Sequence, residues 1–194
     1  MDLKEKRQEE IIQAAMNVFS KNGFERSKME DIATEAGIGK GTIYGYFSSK
    51  RELFEEMICY NIDKYKKELS KIVVGQQSFS EKLERLFQYH ASFLDQNLDI
   101  FQVTNTGKLL SHSMKKRLIK EQNDFLELIE KMLKKGIANG EIRKNIDQEI
   151  AVLCILGAIN QLAGKRIFMD KVSADSIDSA PLIDILMGGL LDGR

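Results

Sequence analysis

Proline is nearly absent from this sequence: Pro181 stands alone among 194 residues. An all-β chain of this length would need many proline and glycine turn signals, and a proline-rich or collagen-like chain far more, so these classes are excluded. Tryptophan is missing, and the two cysteines, Cys59 and Cys154, lie far apart in apolar runs without C-x-x-C spacing. Neither a disulfide framework nor a zinc site fits that pattern, and a reducing compartment does. No charge of either sign predominates, with 29 basic and 29 acidic side chains. Any binding to a polyanion must therefore come from a local patch and not from a global field. Long apolar runs are lacking too. The longest, Val152 to Ala163, holds Asn160 and Gln161 and falls short of the roughly 20 residues of a membrane span. The first twenty residues contain no seven-residue apolar core, so no secretory leader is expected. These absences lead to the expectation of a soluble cytoplasmic protein with no membrane partner. Only two histidines occur, His90 and His112, and neither belongs to an H-x-x-x-H or H-E-x-x-H pattern. An all-helical enzyme would need a nucleophile with its base, a metal cluster or paired carboxylates. No catalytic residue, metal ligand or cofactor is therefore expected.

What is present reads as helix. Ile11, Ile12, Ala15, Val18 and Phe19 recur at three- and four-residue intervals until Asn22-Gly23, a pair that tolerates the left-handed conformation and ends a helix. Ser27 with Glu30 has capping-box spacing and opens a short helix that stops at Gly37. The run Lys40 to Phe47 allows one more short helix, and Ser48-Ser49 can cap a long one striped by Leu53, Phe54, Met57, Ile58, Ile62, Tyr65, Leu69 and Ile72. Further on, Ser78 with Glu81 and Asp147 are cap signals. Gly136 to Gly140 ends another helix, and Pro181 suits the first turn of the last. The expectation is an all-α chain of three compact helices followed by five or six longer ones.

The stretch from Ser27 to Leu53 carries the chemistry. Two short helices joined tightly need a small residue at the crossing, a glycine at the reversal and apolar locking positions. Ala33, Gly37, Ile38 and Ile43 occupy those places. In a helix over Lys40 to Phe47, Ile43 and Phe47 face the core. Gly41, Thr42 and Gly45 face outward, with Tyr44 and Tyr46 on either side. Two glycines in so short a helix cost about 1 kcal/mol each relative to alanine, which makes sense if the backbone approaches something closely. Major-groove DNA is the candidate, with tyrosine hydroxyls and Lys50 reaching phosphates while Thr42 and Lys40 reach base edges. Residues 1–50 carry eight basic and eight acidic side chains, so a few placed contacts from a dimer must carry the binding.

Gly41, Tyr44, Phe47, Lys50 and Leu53 spell G-x-x-Y-x-x-F-x-x-K-x-x-L, preceded by Ile32-Ala33 and Ala36-Gly37-Ile38. This resembles the tetracycline-repressor (TetR) family of bacterial transcriptional regulators, over roughly Ile11 to Phe54. The resemblance implies a homodimer with a helix-turn-helix domain over residues 1–48 and a helical effector-binding and dimerisation domain over 49–194. It implies DNA contacts at Lys40, Gly41, Tyr44, Tyr46 and Lys50, to which we add Ser27, Lys28 and Thr42. The partner DNA would be an inverted-repeat operator, and repression would be relieved by a small effector. The chain departs from the family pattern at Gly39, where a serine or threonine cap is common, and at Gly45, where a side chain often meets DNA.

In the second domain, an apolar cavity between helices could hold a lipophilic effector, with an acyl chain or drug-like. Ile62, Tyr65, Phe87, His90, Phe93, Phe101, Gln122 and Phe125 are its candidate lining. Each phenylalanine reads equally as plain core, and His90 as a satisfied core histidine. The small residues of the penultimate helix and the stripe of the last suggest a dimeric four-helix bundle through Ala151, Gly157, Ala158, Gln161, Ile183, Leu186 and Leu190. A helix-turn-helix protein that organises DNA without any effector is the alternative reading.

Overall fold

The computed structural model describes residues 3–97 and 110–190, and no strand occurs among them. The eight α-helices there are α1 Leu3–Arg26, α2 Met29–Glu35, α3 Lys40–Tyr46, α4 Lys50–Val74, α5 Phe79–Gln96, α6 His112–Ala138, α7 Gln148–Gly164 and α8 Ala180–Leu190. Their ends lie where local chemistry puts them. Gly23 breaks α1 at φ 74° and ψ 159°, a region that side chains with a Cβ avoid. Ser78 and Glu81 form the expected reciprocal box, the hydroxyl accepting the Glu81 N–H at 3.3 Å and the carboxylate accepting the Ser78 N–H at 2.8 Å. The Asp147 carboxylate accepts the Ile150 N–H at 3.0 Å, and the Ser49 hydroxyl accepts the Glu52 N–H at 3.1 Å.

One cap is displaced by a residue. The first turn of α2 is closed by Lys28 and Asp31, not by Ser27 and Glu30: the Asp31 carboxylate accepts the Lys28 N–H at 3.0 Å. Ser27 is 2% exposed and donates its hydroxyl to the Gly23 carbonyl at 2.7 Å. It closes the break after α1 instead of starting α2.

The chain forms two compact units, one built from residues 3–64 with 110–117 and the other from 65–97 with 118–190. Helices α4 and α6 contribute to both. The expected boundary at 48/49 is the link before α4, whereas the compact division falls within α4 at 64/65. The first unit packs Ile11, Ala15, Phe19, Ile32, Ile43, Phe47, Leu53 and Met57 out of water. The rings of Phe19, Phe24 and Phe54 sit with centroids 4.9–5.6 Å apart at its centre. The second is centred on α5, whose Phe79, Leu83, Leu86, Phe87, Ala91 and Leu94 are buried and which packs on α7 and α8. Glu141 accepts the Phe79 N–H at the start of α5. It is placed there by a left-handed turn at Gly140, φ 78°, in which the Glu141 N–H returns to the Gly136 carbonyl at 2.9 Å.

Helix α7 differs from its sequence reading. It continues through a π turn, Lys165–Met169, so that Gln148–Met169 is long and apolar enough by length and composition to cross a membrane. One face of it, however, is buried within the chain: Ala151, Val152, Ile155, Ile159 and Ala163. Beyond the π turn, the Asp95 carboxylate accepts the Ala174 N–H at 3.1 Å and fixes the return toward α8.

Candidate nucleic-acid interface

Between α2 and α3 the backbone reverses at Gly37, φ 65°. The Ile38 N–H donates to the Ala33 carbonyl at 2.9 Å and the Gly37 N–H to the Thr34 carbonyl at 3.1 Å, the paired bonds of a Schellman ending. Gly39 supplies the extended cap residue of α3 and needs no side chain, because its carbonyl accepts from Thr42 and Ile43. Ile43 (0% exposed) and Phe47 (1%) anchor α3 to the core. The opposite side is open: Gly41, Thr42, Tyr44 and Gly45 are exposed and Tyr46 is half-buried. A Cβ added at Gly41 or Gly45 would meet nothing within 4 Å. No internal packing requires either glycine.

The cations are arranged less simply. Lys28 is exposed. Lys40 is ion-paired to Glu30 across the two short helices, Nζ to Oε1 at 2.6 Å. The Lys40 hydrogen bond holds the Glu30 carboxyl below its usual range, and Glu30 in turn raises the Lys40 ammonium. Lys50, expected at a phosphate, makes its hydrogen bonds within the chain. Its ammonium donates to the carbonyls of Phe24 at 2.6 Å, Ser27 at 2.9 Å and Glu25 at 3.2 Å, and lies 4.4 Å from the centroid of the Phe24 ring. A lysine has three donors, and all three are committed. Lys50 therefore ties the start of α4 to the chain between α1 and α2. Ser27, buried with its proton donated inward, is likewise no surface contact.

In the second unit, three of the expected effector residues gather on a fourth, Tyr65. Phe93 lies at 4.7 Å and Phe125 at 5.2 Å between ring centroids, and His90 lies at 6.0 Å. Tyr89, which sequence reasoning missed, stacks on Tyr65 at 5.3 Å. Its signal was the i, i+4 spacing to Phe93. Phe87 is pure core at 0% exposed, Gln122 is exposed, Ile62 belongs to the first unit, and Phe101 lies outside the described residues. His90 also contacts Asn160, a second missed residue, 3.3 Å from Nε2 to Oδ1. An amide oxygen only accepts, so Nε2 carries the proton and Nδ1 accepts from the Tyr65 hydroxyl at 3.0 Å. Burial lowers the His90 pKa from its ordinary 6.5 despite the opposing Asn160 bond, and burial pushes the Tyr65 phenol up. A histidine kept neutral in the fold contributes stability that is full above the unfolded pKa and is lost as pH falls below about 6.5 toward the lower folded value. Denaturant melts of the wild type should thus show stability falling from pH 6.5 to 5, and His90→Gln should flatten that stretch of the profile. An unchanged slope would mean that His90 is not held neutral.

The residues expected in a dimer interface divide in two. Ala151 (5% exposed), Ile183 (7%) and Leu190 (6%) are buried within the chain itself, where α7 and α8 pack on α5 and on each other. Gly157 and Gln161 are exposed, and Ala158 and Leu186 are half-buried. The exposed face of α7 and α8 carries Ile150, Leu153 and Ile185 as well. Cys154 lies on that face, whereas Cys59 is buried, its thiol pushed up to about 11 by desolvation and so unreactive at neutral pH.

An all-α chain that presents a bare, tyrosine-flanked second helix after a glycine reversal is a helix-turn-helix DNA-binding protein. Residues 11–57 match the model of bacterial regulatory proteins of the tetR family, and residues 76–164 match a tetracyclin repressor-like C-terminal domain. The chain belongs to the tetR family and is a ligand-responsive, DNA-binding transcriptional regulator. It is 28% identical over 184 residues to the fatty acid metabolism regulator protein of Bacillus subtilis, covering 93% of this chain and 94% of that one. It is 33% identical to the HTH-type transcriptional regulator YfiR of the same organism, covering 89% and 85%. Its fold matches the crystal structure of the transcriptional regulator FadR from Bacillus subtilis in complex with stearoyl-CoA, with a TM-score of 0.70 at 24% identity over 95% and 98% of the two chains.

Proposed function

We propose that the protein is a cytoplasmic, homodimeric repressor that binds an inverted-repeat operator and is released from it by a small lipophilic effector bearing an acyl chain. Lys28, Lys40, Gly41, Thr42, Tyr44 and Tyr46 form its DNA surface. The effector lies against Tyr65, Tyr89, Phe93 and Phe125, with His90 as the polar neighbour. The observation that carries the effector reading is this group of rings, one of whose members, Tyr65, sits on a helix that begins in the DNA-binding unit. The stearoyl-CoA bound to the Bacillus subtilis structure supports an acyl chain as the class. Dimerisation uses the exposed face of α7 and α8, and the operator half-sites lie one helical turn, about 34–36 Å, or a multiple of it apart.

An inducer must bind the DNA-free state more tightly than the DNA-bound one. A coupling of about 1–3 kcal/mol lowers operator affinity roughly 5- to 150-fold, and linkage requires DNA to weaken effector binding by the same factor. Long-chain acyl-CoA, free fatty acids and non-acyl lipophilic drugs should be compared by thermal shift and by release from an operator selected from random duplexes. Acyl compounds should both raise the melting temperature and release DNA. Phe125→Ala should weaken the effector by about 10- to 100-fold, the worth of one buried ring, while operator affinity stays within about twofold. Should the acyl compounds bind without changing operator affinity, the protein acts on DNA without an effector and the organising reading replaces this one.

A further inference from the structure

Lys40, the first residue of α3, is not free to meet DNA unaided. Lys40 is held by Glu30 at 2.6 Å, and Glu30 also feels the charge of Lys28. The side chains of Lys40 and Glu30 are 65% and 47% exposed, so a surface pair of this kind adds little to folding. Its position matters more than its strength. It joins the first turn of α2 to the first residue of α3, beside the bare face of Gly41, Thr42 and Gly45. Residues 1–50 carry no net charge, so non-specific attraction depends on which lysines are unpaired.

We propose that Glu30 is a brake on non-specific DNA binding, neutralising Lys40 until a phosphate displaces its carboxylate. A phosphate that reaches Lys40 must exchange with Glu30. On a loosely held random duplex that exchange has no base contacts to offset it, and affinity stays low. Removing the carboxylate without changing its shape frees Lys40 and leaves the surface with a net positive charge.

This rests on Lys40 being a phosphate ligand, and the test separates the two ideas. The full-length protein and its variants E30Q, K40M and E30Q/K40M are titrated with a random-sequence duplex about 30 base pairs long, enough for half-sites one turn apart, over a range of salt. E30Q should tighten binding about 3- to 10-fold and steepen the dependence of log K on log salt by up to about 2 per dimer. K40M alone should weaken binding by about 3- to 10-fold, since it removes a phosphate ligand and leaves the Glu30 carboxylate unpaired, and the double variant should lose most of the gain. The melting temperature of E30Q should move by less than about 2 °C, as expected for an exposed pair. If E30Q binds like wild type while K40M weakens binding, the brake is refuted and the Lys40 contact stands. If neither variant changes anything, the contact itself fails and the brake with it. A gain in E30Q that survives intact in the double variant would also overturn the pairing.

Discussion

Lys50→Ala should lower the melting temperature by about 4–12 °C and weaken every DNA sequence to a similar degree, yet leave the salt dependence of binding unchanged. The three carbonyls that its ammonium joins, those of Phe24, Glu25 and Ser27, end one helix and lead to the next. Carbonyls at a helix end have no partner within the helix, so losing this one cap releases several acceptors together. Hydrogen bonds to a charged donor contribute about 1.5–3 kcal/mol each and are not additive, so a total near 2–3 kcal/mol is reasonable. In a chain of this size each kcal/mol shifts the midpoint by about 2–4 °C. Affinity falls because α2 and α3 lose their fixed place on α4, not because a phosphate partner is gone. Thermal unfolding at one protein concentration, with a salt titration on duplex DNA, checks both parts. A slope reduced by about 2 per dimer with an unchanged midpoint would instead make Lys50 a phosphate ligand.

The other large effect is expected on the outer face of α7. Leu153→Glu should give a folded monomer whose operator affinity is lower by about 100- to 10,000-fold, the loss that follows when two half-sites are no longer bound as one unit. Ile150 is 55% exposed, Leu153 48% and Ile185 72%, an apolar face that a second copy would cover. Gly157→Leu tests the same surface by bulk. A Cβ at Gly157 meets nothing within 4 Å, so the chain's own fold accepts leucine while a closely packed partner helix does not. Sedimentation velocity on both variants decides the matter, with circular dichroism confirming the helices. Intact dimers in both would place the interface elsewhere.

The features legible in the sequence are those whose physics acts within one turn of helix. Gly23 and Gly37 ended helices because only glycine adopts their backbone angles cheaply. Ser78 with Glu81 and Asp147 with Ile150 capped helices because donor and acceptor are three residues apart. Ile43 and Phe47 turned inward, and Gly41, Thr42 and Gly45 outward, because the period of a helix assigns them to opposite sides. Together these determined an all-α chain and which residues stand on the outer face of α3.

Only tertiary structure decided that α2 does not open on the Ser27 with Glu30 cap. Burial of Ser27 against the Gly23 carbonyl took its hydroxyl away from α2, and the Asp31 carboxylate accepts the Lys28 N–H there instead. It decided the task of Lys50, whose acceptors lie 23 to 26 residues earlier in the chain. It joined Tyr65 to His90 across 25 residues and His90 to Asn160 across 70. In α7, apolar residues surround the axis on most sides, so periodicity could not tell that Ala151 is buried within the chain while Leu153 remains exposed. Contacts between distant segments depend on how helices pack, and the packing of helices is a property of the whole chain that no local window contains.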